Sequence, residues 1–414
     1  MTAIIKSWME VSEHRLMANY KVLTQAAGAD IAVLAVVKAN AYGHGVEACT
    51  PVMARAGAKW LGVADTAEGV ATRAALTASG VAGIQQPRIL VLYGLLNHDA
   101  DTIFEHRLTP IVLKQQQMEW LADAVARRDL RPFPVHLEID TGMARQGVAN
   151  RKGLRSMLRW LSAQRNLQLE GVMTHFVSSQ VAGSPLTIVQ RYRLENAIEE
   201  VRAVGLHPAW VHAGNSSTLD NDAADGGSLT WLRQVAARVG ARAMVRAGIG
   251  LYGYCLPTEF TNNAGTLFNA RPQVQPELRP VMTWKTQVIG VHEVETGDTV
   301  GYNATFVAQH PMRLALLPVG YSDGLRRELS STTTQAGGWV MMHGRRAAIV
   351  GRVSMNLTVV DVTEIPRVQV GDEVTVLGDG ITADDHAQLA GTIAYEIICG
   401  IRATSRLVNG IDAM

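Results

Sequence analysis

Eight short apolar runs alternate with helical patterns between Ile31 and Arg246, and this alternation limits the fold more tightly than any other feature of the chain. The runs are Ile31–Val37, Trp60–Ala64, Arg88–Tyr93, Leu108–Leu113, Pro134–Ile139, Leu169–His175, Ala209–His212 and Ala243–Arg246. The first, unbroken and rich in β-branched residues, reads as a strand buried on both faces. Helical patterns lie between the runs, at Val46–Ala56, Thr66–Ala78, Gln115–Arg127, Arg151–Gln164, Pro185–Val204 and Leu229–Val239, with a weaker stretch at His98–His106. About eight strand–helix units in series predict a (β/α)8, TIM-like barrel, an α/β fold. Chemistry in such a barrel sits where the strands exit at their C-terminal ends.

The rest of the chain has a different character. A lone strand up to about Val11 and a helix over Glu13–Ala26 come first. From Cys255 to Pro280 the alternation dissolves, and Pro257, Asn262, Asn263, Gly265, Pro272, Pro276 and Pro280 mark a connector. Beyond Val281 short alternating runs with Gly-Asp turns, at Gly297-Asp298 and Gly371-Asp372, predict a C-terminal antiparallel β domain. Ser330–Gly338 reads as a flexible surface loop, and short helices are expected over Ala383–Leu389 and Thr392–Cys399. The expected organisation is a strand over 1–10 that joins the β domain, a barrel over 11–254, a connector over 255–280 and a β domain over 281–414.

Composition excludes several classes. A net charge near +1 gives no nucleic-acid footprint. The longest apolar runs fall far short of the roughly 20 residues a membrane span needs. The opening residues lack a basic segment followed by a long apolar region, so no secretory leader is expected. Cys49, Cys255 and Cys399 are far apart and odd in number, which argues against a disulfide framework and for the cytoplasm. The histidines are scattered without ligand spacing, so no metal site is expected.

The strand exits carry the chemistry. Lys38 ends the first apolar run, and Ala39-Asn40-Ala41-Tyr42-Gly43-His44-Gly45 follows. A strand-end lysine can simply point at water. An amine held against apolar walls instead loses solvation and becomes a usable nucleophile or base, as Schiff-base chemistry on a carbonyl cofactor requires. The fifth run exits as Glu138-Ile139-Asp140-Thr141-Gly142-Met143-Ala144-Arg145, and the sixth at His175. The seventh exits into Asn215-Ser216-Ser217, and the eighth at Arg246, Gly248 and Ile249. Backbone N–H groups at Gly248 and Ile249, with hydroxyls from Ser216 and Tyr42, can cradle an anion. Taken singly, Ser216 reads as a helix N-cap, Arg246 as half of a structural ion pair and His175 as a satisfied core histidine.

The segment Val36-Val37-Lys38-Ala39-Asn40-Ala41-Tyr42-Gly43-His44-Gly45 resembles the cofactor-lysine segment of the alanine racemase family, pyridoxal-phosphate (PLP) enzymes of fold type III. Val300-Gly301-Tyr302-Asn303-Ala304-Thr305-Phe306, Val319-Gly320-Tyr321-Ser322-Asp323-Gly324 and Gly351-Arg352-Val353-Ser354-Met355-Asn356 resemble three further segments of that family, in order. The resemblance covers nearly the whole chain from Trp8. It implies a TIM-like barrel with a C-terminal β domain, and interconversion of L- and D-alanine through a PLP aldimine by two bases. The resemblance assigns one face of the substrate to Lys38 and the opposite face to Tyr302 of the other subunit. It implies PLP contacts from Lys38, Tyr42, His175, Asn215, Ser216, Arg246, Gly248, Ile249 and Tyr395, with Arg246 donating to the pyridine nitrogen. It implies substrate contacts from Arg145, Tyr321 and Met355, and a homodimer with shared sites.

Two positions depart from the family pattern. Glu138 stands where many members carry a carbamylated lysine, and is expected to hold Arg145 by a charge-assisted bond. Asn356 replaces the usual aspartate, which opens a broader or a serine or lysine specificity as the alternative. A PLP decarboxylase and a PLP-binding protein without catalysis are the remaining readings. The Tyr302 segment argues against the first, and residues 281–414 against the second.

Overall fold

The computed structural model describes residues 6–81, 83, 86–128, 132–222, 226–261, 267–269 and 271–409. The chain divides into two compact units: Leu16–Ala39 with Thr50–Arg279, and Met1–Arg15 with Asn40–Cys49 and Pro280–Met414.

The first unit is a closed parallel barrel of eight strands in sequential order. They are Ile31–Val36, Trp60–Val63, Arg88–Val91, Leu108–Val112, Phe133–Glu138, Leu167–Met173, Trp210–His212 and Arg242–Ala247. The ring closes where Ala243 to Ala247 pair with Ile31 to Ala35. Leu34, Leu61, Ile89 and Leu90 are fully buried within it, and truncating one such side chain costs roughly 2–5 kcal/mol. Several helices start where local chemistry directs. Asp65 accepts from Glu68 N to cap Thr66–Ala78, and Asn150 accepts from Gly153 N to cap Arg151–Ala163. The weak stretch near His98 is a helix over Asp99–Glu105.

Strands one to four end one or two residues before their apolar runs do, although Val37, Leu92 and Tyr93 N–H groups still donate to Gly62, Val63 and Ala64 carbonyls beyond the strand ends. The connector is not patternless. Glu259–Thr261 and Leu267–Asn269 are strands, and the former pairs in parallel with Val181–Ala182 beyond the sixth barrel strand. Such short strands come from pairing with a distant partner, which local composition does not encode. The buried carboxylate of Asp220 pins the segment, accepting from Thr258 Oγ1 at 3.0 Å and from the Val274 and Gln275 N–H groups at 2.8 Å. Asn262, Asn263 and Gly265 lie outside the described residues.

The second unit has a six-stranded sheet in the order Arg345–Ala348, Trp339–Met342, Glu373–Leu377, Met282–Gln287, Ser7–Ser12, Thr404–Val408. Its ladders are antiparallel except the last, where Ser7–Ser12 runs parallel to Thr404–Val408. A three-stranded sheet of Gly290–Val294, Met312–Leu317 and Thr358–Asp361 is also present. Val300, Ala308, Met312, Leu314 and Val350 form one apolar core of this unit. The Ser330–Gly338 loop is tied down: Thr333 N donates to Thr305 O at 3.0 Å, and Gly338 N to Leu329 O at 2.9 Å.

Candidate active site

Lys38 emerges two residues past the end of the first barrel strand, at the start of a short helix, Lys38–Tyr42. Ala39, Asn40, Ala41 and Tyr42 have φ of 52°, 53°, 55° and 52°, so this turn is left-handed. Each such residue costs about 1–2 kcal/mol, and strain of this kind collects at functional sites. The turn is held from both ends. Glu68 accepts from Ala39 N and Ala64 N, both at 2.7 Å, and Asn40 Oδ1 accepts from Val46 N at 2.8 Å. Gly43 then passes so close to Ile398 that a β-carbon would lie 2.2 Å from its carbonyl oxygen. The sequence signalled the glycine break but not the turn before it, because in Ala-Asn-Ala-Tyr only Asn40 is at ease in the left-handed region, and then as a single residue. The Lys38 amine is 3.4 Å from the Tyr93 hydroxyl and 5.4 Å from that ring's centroid. Tyr93 follows the third strand and was not singled out by sequence; its place as the last residue of an apolar run was the available signal.

Arg246, on the eighth strand, is buried and donates to acceptors on neighbouring exits. NH2 reaches Thr174 O at 2.7 Å and His175 Nδ1 at 3.1 Å, and NH1 reaches His212 Nδ1 at 3.2 Å. Burial draws the guanidinium down to about 10, with Glu138 opposing the shift and Arg145 adding to it, so it stays protonated at neutral pH. His175 is depressed to about 3 by burial and by the charges of Arg246, Arg145 and Lys38. It is therefore neutral. Because Arg246 donates to Nδ1, the ring proton is on Nε2.

The expected bond between Glu138 and Arg145 is not made. Gln146 Nε2 donates to Glu138 Oε2 at 2.5 Å and to Leu92 O at 3.0 Å, while Arg145 is exposed and acts on Glu138 only through space. The tight turn between Asp140 and Val148 favours this exchange. Asp140 Oδ1 accepts from Gly142, Met143 and Ala144 N–H groups, which aims the next side chains differently from a simple strand extension. Burial pushes the Glu138 carboxyl up to about 7, against the bond from Gln146 and the charges of Arg246 and Arg145. The folded state thus binds this proton more tightly than the unfolded chain, and stability falls as pH rises from about 4.5 to about 7. A shift of that size corresponds to about 3 kcal/mol. Glu138→Gln, which mimics the protonated acid, is expected to gain stability relative to wild type by about that amount between pH 4 and pH 8. Urea unfolding at both pH values checks it; a pH-independent difference would show that the carboxyl is not held protonated.

Ser216 opens a short helix, Ser216–Asn221, after the seventh strand, and its Oγ receives N–H bonds from Gly248 at 3.0 Å and Gly250 at 3.1 Å. Ile249 lies between them and begins a 3-10 turn. Two backbone N–H groups thus converge on one hydroxyl, a polar turn in which both donors are taken by Ser216 itself. Asn215, rather than Ser216, is the N-cap: it accepts from Thr218 N at 3.2 Å and from Ser179 Oγ at 2.9 Å. Gly250, missed by sequence, has a packing reason: a β-carbon there would lie 3.1 Å from the same Ser216 Oγ.

The remaining sequence-derived residues lie in the second unit. Tyr42 and Tyr395 come together, with ring centroids 6.1 Å apart. Tyr302 is 68% exposed at the start of a 3-10 turn whose Asn303 and Ala304 have positive φ. Tyr321, Met355 and Asn356 gather around Ser322, whose Oγ accepts from Asn356 Nδ2 at 2.7 Å and donates to Met355 O at 2.8 Å. No hydrogen bond links Tyr302 to this second group among the described residues.

A closed parallel barrel with an amine, a buried guanidinium and a polar serine–glycine turn at its strand exits defines a class: a TIM-barrel enzyme, here joined to a second, β-rich unit. The particular family follows from comparison with known proteins. The chain belongs to the alanine racemase family: the family's N-terminal domain matches residues 11–256 and its C-terminal domain residues 281–408. An alanine racemase of Symbiobacterium thermophilum is 35% identical over 412 residues, spanning 98% of each chain. One from Halothermothrix orenii is 33% identical over 399 residues, spanning 95% of this chain and 94% of its own. Among solved structures, the alanine racemase from Streptomyces coelicolor A3(2) superposes with a TM-score of 0.83 at 29% identity, covering 99% of both chains. The family is an isomerase family. No helix among the described residues is long and apolar enough to cross a membrane.

Proposed function

We propose that this protein is a PLP-dependent racemase that interconverts L- and D-alanine. The observation that carries the reading is the set of groups at the barrel exits. Lys38 stands on a strained turn, Arg246 keeps two of its five N–H groups without a protein acceptor among the described residues, and Ser216 meets the Gly248–Gly250 turn in a small polar cradle whose Gly248 and Gly250 N–H groups bond the Ser216 hydroxyl. These fit the three ends of PLP: an aldehyde for the amine, a ring nitrogen for the obligate donor, a phosphate for the cradle. Ser216, Gly248 and Ile249 would hold the phosphate, with Tyr42 and Tyr395 adding hydroxyls. When bound, the cofactor supplies a carbonyl that takes up an amine and a ring that draws electrons from the substrate's α-carbon.

The chain's own residues do the rest. Lys38 takes or returns a proton on one face of a flat substrate, and Tyr302 of the partner subunit does so on the other. Neutral His175 presents an Nε2–H, a donor suited to the Tyr302 oxygen. Arg145, exposed and without a hydrogen-bonded acceptor among the described residues, is available to a substrate carboxylate, with Met355 and Tyr321 at the entrance. A homodimer with shared sites, acting in the cytoplasm, completes the reading.

Arg246 sets which reaction runs. It cannot give up its proton, so a ring nitrogen held there would stay unprotonated, which would make the ring a weaker sink for electrons from the α-carbon. Arg246→Glu is expected to slow racemisation and raise transamination. Equal loss of both would count against this role. The function itself is tested by adding PLP, reading the yellow absorbance of the Schiff base, and following α-hydrogen exchange of both alanine enantiomers in deuterated water. A yellow protein that exchanges neither would be a carrier. Asn356, neutral and bonded to Ser322, favours a second reading of broader specificity, which a panel of L-amino acids tests.

A further inference from the structure

Arg246 is the end of a longer buried chain. His212 Nε2 lies 2.9 Å from His136 Nδ1, and His136 Nε2 lies 3.3 Å from Glu170 Oε2. Glu170 is gripped by both guanidinium arms of Arg88, whose side chain is 40% exposed and stacks 4.1 Å over Trp60. The four barrel strands carrying Glu170, His136, His212 and Arg246 thus share one polar line through an interior that barrels fill with branched apolar layers. Both imidazoles are fully buried. Gly171 makes the room: a β-carbon there would lie 2.3 Å from His136 Nδ1.

The ends of the line dictate its polarity. Arg246 can only donate, so His212 Nδ1 accepts and the His212 proton is on Nε2. That proton goes to His136 Nδ1, which leaves the His136 proton on Nε2, aimed at a carboxylate that can only accept. Every bond points from Arg246 toward Glu170. Burial lowers both histidines, which keeps the rings neutral. Burial would raise the Glu170 carboxyl, but the bonds from His136 and Arg88 outweigh it and bring it to about 2. An apolar filling of similar volume is often at least as stable as buried charge, so stability alone does not explain the line.

We propose that Glu170 is a positioning residue for Arg246, acting through the neutral Nε2–H forms of His136 and His212 to fix which way the guanidinium faces. The role rests on reading the Arg246 end as the seat of the cofactor ring. A chain of polarised bonds transmits the carboxylate's pull, so each imidazole accepts more strongly than it would alone. Glu170→Gln breaks the logic. Its amide must aim a donor either at His136 or at Arg88, so one donor–donor clash appears wherever the line adjusts.

The test is 15N NMR of the two imidazoles in the full-length protein, with and without PLP, in wild type and Glu170→Gln. Wild type is expected to carry both ring protons on Nε2 across neutral pH. In Glu170→Gln the His136 Nε2 resonance should shift, with a change of tautomer where the amide turns its donor to His136, and the ratio of transamination to racemisation should rise about tenfold, the low end for loss of an outer-shell partner. A purely structural Glu170 would lower the melting temperature and leave tautomers and ratio unmoved, which overturns the proposal. So does an Nδ1 proton on either ring of wild type, a measurement that needs no variant to fold. A wild type that never turns yellow with PLP refutes the cofactor reading instead, while one that is yellow and racemises with an Nδ1 proton refutes only the relay.

Discussion

Lys38→Ala is expected to abolish the yellow absorbance with PLP and to reduce racemisation by at least about 10^4-fold, the upper end for loss of one positioned base. The loss is large because the same amine is asked to anchor the cofactor covalently and to move a proton on one face. Folding should change little. The side chain is half-buried, its hydrogen-bond partner is the exposed Tyr93 hydroxyl, and the left-handed turn is held by Glu68 and Asn40, not by the amine. A melting temperature close to wild type, with absorbance gone, is the expected pair of results. A small primary amine in the buffer should restore a trace of α-hydrogen exchange. A Lys38→Ala protein that still racemises would end the Schiff-base reading.

Tyr302→Phe is the second large effect, expected to cost about 10^2- to 10^4-fold in racemisation. The signature is one-sided. With Lys38 intact, the α-hydrogen of one alanine enantiomer should still exchange in deuterated water, but inversion should not follow. Tyr302 is 68% exposed, so removal of its hydroxyl should leave stability within about 0.5 kcal/mol. The shared-site dimer adds a sharper measurement. Lys38→Ala and Tyr302→Phe proteins, each inactive, are mixed and allowed to exchange subunits. If Tyr302 serves the partner's site, each mixed dimer contains one intact site, and random reassortment restores about one quarter of wild-type activity. If Tyr302 serves its own subunit, the mixture stays dead.

Most of the barrel was legible because its signals are local. Continuous apolar runs of strand length, each followed by a helical period, leave few other arrangements. The predicted strands and helices match the observed ones to within a residue or two at most ends. The exits were legible for a related reason: Lys38, His175, Arg246 and Ser216 are polar residues placed where an apolar run stops. What failed to show were features made by a partner far along the chain. The strands at Glu259–Thr261 and Val181–Ala182 exist by pairing with each other. Gln146 displaced Arg145 from Glu138 because the turn after the fifth strand decides which side chain faces back. Glu170 and His136 looked like unremarkable members of apolar strands.

By itself, the order of residues determined the barrel, the appended β-rich unit and the family, since periodicity, turn chemistry and motif order are properties of neighbours along the chain. Only the tertiary structure decided the hand of the turn that presents Lys38, the acceptors of Arg246 and the line of bonds from Arg246 to Glu170. A left-handed turn opposes local preference and survives only when distant groups such as Glu68 hold it. The direction of a hydrogen bond between two imidazoles is set by what lies beyond each ring, and that is known only once strands far apart in sequence stand side by side.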